Sequence, residues 1–155
     1  MIRRLSLFLS SILSKMKKNL QIILIAFLVF AIDRILKIAG IQGCFTLLCF
    51  SQSRNTGAAF GLFPGAMWVF IIAAIAVIFL ALFYYKKIKS SMARLGLALI
   101  IAGTLSNFID RAAFGYVIDY IRFIFHSNLF NIADLSNLAG ALLLLMGLRK
   151  KKKKI

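Results

Sequence analysis

Twenty consecutive residues at Ala66–Tyr85, AMWVFIIAAIAVIFLALFYY, contain no charged side chain. An α-helix needs a run of ~20 predominantly apolar residues to cross the hydrocarbon core of a bilayer. Trp68 lies near one end of this run, and Tyr84 and Tyr85 lie at the other. Because such aromatic residues collect at the two membrane–water interfaces, the stretch predicts a transmembrane helix.

The rest of the chain has the same apolar character. Hydrophobic residues make up 62% of its 155 residues, more than a soluble domain of this size can hide from water. We predict four spans, at about Leu20–Ile38, Ala66–Tyr85, Met92–Ile109 and Asn131–Leu148. The predicted fold class is an all-α integral membrane protein with four transmembrane helices. A small extended or β segment, at Phe45–Phe50, and a loop are expected on the exoplasmic side.

The net charge of +16 comes mostly from clusters that flank the predicted spans. Residues 3–18, 86–94 and 149–154 hold 15 of the 20 basic residues, all on one side of the membrane if the chain crosses it four times. By the positive-inside rule this side is the cytoplasm, so both termini are predicted to be cytoplasmic. The position of the charge explains it without a nucleic-acid partner, which we do not expect.

Three segments follow from this pattern: a basic N-terminal extension at residues 1–18, a four-helix membrane domain at residues 19–148 and a basic cytoplasmic tail at residues 149–155. In the extension, apolar residues recur at helical spacing between serines and lysines. This spacing predicts an amphipathic helix on the inner leaflet. No small-residue cleavage site follows it, which argues against a cleavable signal peptide. The lysine tail is expected to be attracted to anionic lipid, so membrane lipids are predicted partners.

The acidic residues are few and unevenly placed. The chain has four, all aspartates, and each falls at the exoplasmic end of the predicted bundle: Asp33, Asp110, Asp119 and Asp134. Charged groups at membrane depth are costly and usually mark a functional site. The alternative is that they are solubilising interfacial charges, opposed by Arg34, Arg54, Arg111 and Arg122.

Asp119 and Asp134 are the candidate catalytic pair. Asp119 lies on an apolar, extended stretch and shares a face with Val117 and Ile121, while Asp134 begins an apolar helix. Two carboxyl groups brought together in a poorly solvated place do not both ionise readily, so the pair holds one proton. One member can then deprotonate water while the other polarises a peptide carbonyl. The residues are fifteen positions apart, and the sequence alone does not establish that they meet.

Asparagines accompany these acids. Asn107 precedes Asp110 by three residues, Asn131 precedes Asp134 by three, and Asn55 lies in the outer loop near Gly57. An amide offers both a donor and an acceptor, which suits orienting a carboxylate or holding a substrate backbone. Asn131 can equally be a helix cap, and both interpretations stay open.

Other chemistry is not indicated. Cys44 and Cys49 are separated by an odd number of residues, so in a single strand they point to opposite faces and are expected to remain unpaired thiols. No cluster of cysteine and histidine has metal-ligand spacing. We expect neither a metal nor a cofactor.

Five short blocks of the sequence carry a resemblance to a known family. In chain order they are DRILK (Asp33–Lys37), RNTGAAF (Arg54–Phe60), SNFIDR (Ser106–Arg111), GYVIDYI (Gly115–Ile121) and FNIAD (Phe130–Asp134). Their order and their placement relative to the spans resemble lipoprotein signal peptidase, also called signal peptidase II, the aspartic protease family that processes bacterial prolipoproteins. Two positions depart from the family pattern: Ser106 stands in place of a glycine, and Leu135 in place of a small residue.

The resemblance implies a role for each matching position. Asp119 and Asp134 are implied to be the catalytic dyad, and Asp33 and Lys37, on one helix face at i,i+4, to support the site from the first span. The surrounding positions that are implied to shape the pocket and hold the substrate are Asn55, Gly57, Asn107, Asp110, Arg111 and Asn131.

The implied activity is cleavage of diacylglyceryl-modified prolipoproteins just before the lipid-modified cysteine. It implies a multi-pass protein of the bacterial cytoplasmic (inner) membrane with its active site at the exoplasmic face, and we expect a monomer.

The sequence is also compatible with three rival functions. A small proton- or cation-coupled transporter also uses intramembrane acids, but it predicts acids spread through the membrane depth. A structural subunit predicts that Asp119 and Asp134 can each become asparagine without consequence. A serine–lysine protease needs Ser51 or Ser53 together with a neutral, desolvated Lys37.

Overall fold

The computed structural model of the chain describes residues 2–57, 65–125 and 128–149. The described residues form four helices and three strands. In chain order these are α1 (Ile2–Ala39), β1 (Gly43–Phe45), β2 (Leu48–Asn55), α2 (Met67–Tyr85), α3 (Ser91–Phe114), β3 (Val117–Phe123) and α4 (Ile132–Arg149).

Three of the helices are long and apolar enough to cross a membrane, namely α2, α3 and α4. Their bounds agree with the predicted second, third and fourth spans to within a residue or two, except that α3 continues five residues beyond the predicted end. The mean hydropathy is highest in α2, which is the stretch that contains no charge. The chain is therefore a mostly helical membrane protein with a small antiparallel sheet.

Helix α1 runs without a break from Ile2 to Ala39. At 1.5 Å per residue its 38 residues extend for ~57 Å, well beyond the ~30 Å hydrocarbon core of a bilayer. The predicted N-terminal helix and the predicted first span are thus parts of one helix. The crossing of the membrane by α1, the position of its first part on the inner leaflet and the cytoplasmic location of both termini stay predictions.

Helices α3 and α4 pack closely because glycines face each other along their contact. A methyl group added at Gly96 would lie 2.6 Å from the backbone oxygen of Gly140, and one added at Gly103 would overlap the backbone oxygen of Ala133. Small residues allow helix backbones to approach in this way inside membranes, where packing rather than the hydrophobic effect holds helices together. The close approach brings the first turn of α4 beside Asn107 of α3.

The three strands form an antiparallel sheet in the order β1-β2-β3, at the end of the bundle where α1 and α3 end and α2 and α4 begin. Gly115 ends α3 in the left-handed conformation, at φ 79°, which only glycine adopts readily. The chain turns there into β3. Ser53 pairs with Asp119 and Asn55 with Val117, and β3 is extended with Val117, Asp119 and Ile121 buried, as predicted.

A short backbone bridge brings the start of α4 to β3. The amide of Phe130 donates to the carbonyl of Ile121 at 2.8 Å, and the amide of Ile121 donates to the carbonyl of Phe130 at 2.9 Å. Asn131 and the first turn of α4 follow immediately. This bridge makes neighbours of Asp119 and Asp134, which the sequence separates by fifteen positions.

The prediction of unpaired cysteines is wrong, because Cys44 and Cys49 form a disulfide. The expected single strand at Phe45–Phe50 is instead a hairpin in which β1 and β2 are joined by a turn at Thr46 and Leu47. Cys44 and Cys49 pair directly across the hairpin, with Cα atoms 4.0 Å apart. Directly opposed residues of an antiparallel pair point to the same face, so the odd spacing that separates the thiols in one strand unites them in a hairpin.

Replacing Gly103 by valine tests the packing of α3 against α4. We expect the variant to lose ~1–3 kcal/mol of stability or to fail to fold, because the added side chain forces two packed backbones apart. Thermal unfolding in detergent measures the effect. The matched control is Ala139→Val, which should keep the wild-type midpoint because Ala139 is exposed on α4. Equal midpoints for the two variants would contradict close packing at Gly103.

Candidate active site

Asp119 lies on β3 with both carboxylate oxygens hydrogen-bonded. Asn55 donates its Nδ2 to Oδ2 at 2.8 Å, and Asn131 donates its Nδ2 to Oδ1 at 2.7 Å. Asn55 reaches Asp119 because its cross-strand partner, Val117, is two residues away on the same face of β3. Asp119 is only 3% exposed, so these amides replace most of the water that it would otherwise bind.

Asp134 lies in the first turn of α4 and takes part in a reciprocal cap with Asn131. The amide of Asp134 donates to Asn131 Oδ1 at 2.9 Å, and the amide of Asn131 donates to Asp134 Oδ2 at 3.2 Å. This is the geometry of a capping box, with an aspartate in the position where glutamate is more common. The other oxygen of Asp134 accepts a 2.8 Å hydrogen bond from Asn107 Nδ2.

Asn131 connects the two acids. Its Oδ1 caps the helix that carries Asp134, and its Nδ2 donates to Asp119 and, at 3.2 Å, to Asn107 Oδ1. Asn131 is completely buried. The capping interpretation of this residue is therefore confirmed, and the same amide group also donates to Asp119; the functional interpretation stays a prediction.

A buried lysine lies behind the asparagines. Lys37 directs its ammonium group at Asp33 Oδ2 (2.9 Å), Asp110 Oδ2 (2.8 Å) and Asn107 Oδ1 (2.8 Å). These contacts account for its three N–H donors, and its side chain is fully buried. The contact with Asn107 fixes that amide so that its Nδ2 points at Asp134.

Asp33 ties three elements together. It accepts hydrogen bonds from the hydroxyl of Ser106 on α3 (2.6 Å), the hydroxyl of Tyr120 on β3 (2.9 Å) and the backbone amide of Ala133 on α4 (3.1 Å). Both elements that carry the candidate acids are thus held by one carboxylate of α1. The Ser106 hydroxyl, at the position where the family pattern has glycine, is one of its donors.

Asp110 and Arg111 complete the surroundings. Asp110 pairs with Arg34 as well as Lys37 and accepts from the backbone amide of Ile118 at 3.2 Å. Arg111 donates to the carbonyl of Gly57 at 3.0 Å and lies over the ring of Phe70. Gly57 also donates its amide to Asn55 Oδ1 at 2.9 Å. The chain just after β2 is thus held through both the amide and the carbonyl of Gly57.

The environment of Asp119 favours its protonated form. Burial, followed by the negative charge of Asp134, raises the pKa of Asp119 to about 6 from its ordinary value of 3.8. The hydrogen bonds from Asn55 and Asn131 and the charge of Lys37 oppose this shift. Burial also raises the pKa of the neighbouring Tyr120 phenol, which therefore stays a hydrogen-bond donor to Asp33.

A cavity of about 250 Å³ opens beside the acids, between α2, α3 and α4. Its α2 wall is apolar and consists of Phe70, Ala73, Ala74 and Val77. The opposite wall is polar and consists of Thr104, Asn107, Arg111, Asp134 and Asn137. Of the two candidate acids, Asp134 lines this cavity. A larger apolar cavity of about 420 Å³ between α1, α2 and α3 contains none of the predicted site residues.

The structure brings every predicted site residue into one connected network. Sequence reasoning missed Tyr120 and Ser106 as members of it, and it treated Arg34 only as a countercharge. Tyr120 had a usable signal, because the residue after Asp119 in a strand faces the opposite side, toward the helices. The signal for Ser106 was weaker: it is a polar residue at a position where the family pattern has glycine.

Comparisons with known proteins agree with the resemblance in the sequence. The profile of the family described as Signal peptidase (SPase) II matches residues 25–149. A lipoprotein signal peptidase of Halothermothrix orenii is 46% identical over 101 residues, which cover 64% of this chain and 69% of that protein. A lipoprotein signal peptidase of Desulfitobacterium hafniense is 38% identical over 141 residues, which cover 82% and 93%.

The fold is also similar to that of a solved structure, described as a bacterial membrane enzyme determined by the in meso method at 2.3 Å resolution. The two share a TM-score of 0.77 and 32% sequence identity over 87% of this chain and 93% of that one. Every residue of the network described above lies within residues 25–149, the part of the chain that the family profile matches.

Replacing Lys37 by methionine tests the buried network. We expect a loss of ~3–5 kcal/mol of stability, because removal of one member leaves buried charge without its partner. A lower unfolding midpoint in detergent is the measurement, with Lys89→Met, an exposed lysine of the α2–α3 connection, as control. The double variant Lys37→Met/Asp33→Asn should recover part of the lost stability, since it removes one of the two carboxylate charges that Lys37→Met leaves without the ammonium group. A Lys37→Met protein as stable as Lys89→Met contradicts this role.

Proposed function

Because the chain belongs to the signal peptidase II family, a family of proteases, we propose that it is an aspartic endopeptidase that removes the signal peptide from prolipoproteins. The observation that carries the catalytic assignment is the bonding of Asn131 to both Asp119 and Asp134. The substrate class follows from the relatives named lipoprotein signal peptidase. In the finer form of the proposal, the substrate is diacylglyceryl-modified and the cut lies just before the modified cysteine.

The dyad acts on water with one proton shared between its members. The ionised carboxylate accepts a proton from water as the water oxygen adds to the carbonyl carbon of the scissile bond. The protonated carboxyl donates to the carbonyl oxygen, which takes up the displaced electron pair. The carboxyl that took the proton from water then donates it to the amide nitrogen and the C–N bond breaks. The carbonyl re-forms as the carboxyl end of the signal peptide, and the hydroxyl proton returns to the other carboxylate, so the dyad again holds one proton. No covalent intermediate with the enzyme is required.

The neighbouring amides support this chemistry by fixing both carboxylates. Asn55 and Asn131 occupy the two oxygens of Asp119, while Asn107 and the Asn131 backbone occupy those of Asp134. Groups held in place need little reorganisation as charge moves during the reaction, which is the largest source of catalysis in many enzymes. The charge of Asp134 raises the pKa of Asp119, as expected for a pair that shares a proton.

The placement of the site supports cleavage at the membrane surface. The acids lie where three candidate membrane helices meet the sheet, so a substrate anchored by its lipid and its apolar signal peptide can reach them from within the bilayer. We propose that the chain crosses the bacterial cytoplasmic membrane four times, with both termini inside and the site at the exoplasmic face. We also propose that it acts as a monomer.

The rival functions fit the contacts less well. A transport relay needs protonatable groups along the membrane depth, whereas the four acids of the chain belong to one network at one end. A serine–lysine mechanism needs a lysine amine that is free to act as base, whereas the three N–H donors of Lys37 are taken by Asp33, Asp110 and Asn107.

Asp119→Asn and Asp134→Asn should each lower the cleavage rate of a diacylglyceryl-modified prolipoprotein by ~10³-fold or more, because neither variant can both hold and transfer the shared proton. Purified protein in detergent with a gel-shift or mass-spectrometric assay measures this rate.

The matched controls are Ser51→Ala and Ser53→Ala, in the strand beside Asp119, which should cleave at the wild-type rate. Loss of cleavage in either serine variant supports the serine–lysine alternative. Full activity in either asparagine variant would contradict catalysis by a dyad of Asp119 and Asp134. Proton flux through proteoliposomes that stops in both asparagine variants would favour the transporter.

The pH dependence of kcat/KM should report the shared proton. The pKa of Asp119 is raised to about 6, so the proton is held below that pH and released above it. We therefore expect kcat/KM to fall as the pH rises through about 6, with a slope approaching tenfold per pH unit, when a substrate without titratable side chains near the cleaved bond is used. A rate that rises through the same range contradicts a singly protonated dyad as the active form.

A further inference from the structure

Two polar side chains line the cavity one helical turn away from Asp134 and Asn107. Asn137 follows Asp134 by three residues on α4, and Thr104 precedes Asn107 by three on α3, so each lies on the same helix face as its partner at the site. Both line the same cavity as Asp134. Three residues correspond to ~4.5 Å along a helix, so this pair extends the polar wall of the cavity toward the middle of the bundle.

The amide of Asn137 has a defined orientation. Thr104 Oγ1 donates to Asn137 Oδ1 at 3.2 Å, and the same oxygen packs against Gly103, where a Cβ would lie 2.7 Å from it. The carbonyl half of the amide therefore faces α3. Among the described residues, none accepts a hydrogen bond from Asn137 Nδ2, and the side chain is partly exposed where it lines the cavity. Two N–H donors are thus available to a molecule in the cavity.

Packing alone does not account for this arrangement. A polar contact between helices is a common means of association in membranes, and the Thr104 hydroxyl meets that description with Asn137 Oδ1. However, the glycines at positions 96, 103 and 140 already bring α3 and α4 together. An amide nitrogen without an acceptor at membrane depth is costly, and a bound ligand that supplies an acceptor removes that cost.

The substrate of the proposed reaction has such acceptors. A peptide bond can be attacked by a dyad only when the chain around it is extended, so the end of the signal peptide must leave its helical conformation before it is cut. Each residue that unwinds in an apolar surrounding leaves a carbonyl without its helical N–H partner. Those carbonyls belong to the signal-peptide side of the scissile bond, which enters the site from the membrane.

We propose that Asn137, oriented by Thr104, is a substrate-binding residue that donates from Nδ2 to a backbone carbonyl of the unwound signal peptide, a few residues before the cleaved bond. This inference rests on the proposed peptidase function. It assigns to the cavity a contact with the peptide backbone, so it applies to prolipoproteins whatever side chains they carry at that position.

The test is a double-perturbation experiment on the enzyme and the substrate. The substrates are synthetic diacylglyceryl-modified lipopeptides in which one amide link is replaced by an ester, at the second, third or fourth link before the cleaved bond. An ester carbonyl is a weaker acceptor than an amide carbonyl, while the shape of the chain is nearly kept. The enzymes are wild type, Asn137→Leu and Ser136→Ala, the last being a buried neighbour whose hydroxyl donates to Leu99 O on the α3 side.

In wild type, we expect one of the three esters to lower kcat/KM by ~3–10-fold, the range of a single neutral hydrogen bond. Asn137→Leu should lower kcat/KM on the all-amide substrate by ~10-fold, mainly through KM, and that same ester should then have no further effect. Ser136→Ala should show the wild-type rate and the wild-type ester effect. A wild-type kcat/KM in Asn137→Leu, or an undiminished ester effect in it, overturns the proposal.

A second variant keeps the test decisive if Asn137→Leu does not fold. Thr104→Val keeps Asn137 Nδ2 but removes the hydroxyl that orients it, so kcat/KM should fall by ~3-fold with a reduced ester effect. An unchanged ester effect in Thr104→Val also overturns the proposal. Failure of the peptidase function itself looks different, because wild type then leaves every lipopeptide uncut or Asp119→Asn cuts them all.

Discussion

The amide group of Asn131 is the contact on which the rest of the site depends. Its oxygen caps the helix that carries Asp134, and its nitrogen donates to the carboxylate of Asp119 on β3. The bond to Asp119, as a hydrogen bond to a carboxylate, contributes ~1.5–3 kcal/mol, and the bond to the oxygen comes from the backbone amide of Asp134. One planar group thus ties the backbone of Asp134 to the carboxylate of Asp119, and this buried group cannot turn over without losing both contacts.

The charges behind Asn131 explain how such a site survives in an apolar bundle. Two acids, Asp33 and Asp110, lie with two bases, Lys37 and Arg34, in a compensated cluster. Burying a charged group is tolerable only when its partners are present. In this cluster the charged side chains also position other parts of the site. Lys37 donates to the side-chain amide of Asn107 and fixes its orientation. Asp33 accepts hydrogen bonds from β3 and α4, and Asp110 accepts one from the backbone amide of Ile118. Stability and the geometry of the site therefore depend on the same contacts.

Much of the fold and of the candidate site could be predicted from the sequence, and there are physical reasons why the other features could not. Apolar runs of about twenty residues and the aspartates near their ends identify the helices and the acids, because charge is so costly in a bilayer. The meeting of Asp119 with Asp134 depends on the backbone bridge of Phe130 with Ile121, which no side-chain pattern encodes. The disulfide was missed because a two-residue turn changes which residues face each other. Asn137 gave no signal, since one asparagine in an apolar helix is usually a packing contact.

The most direct test of the central claim is a carbon-13 NMR titration of protein labelled at the aspartate carboxyl carbons, of which the chain has four. We expect Asp119 and Asp134 to titrate as a coupled pair, with each signal moving in two steps, and Asp134 to move in one step in Asp119→Asn. Two independent single-step titrations, unaffected by replacement of the other residue, would contradict it.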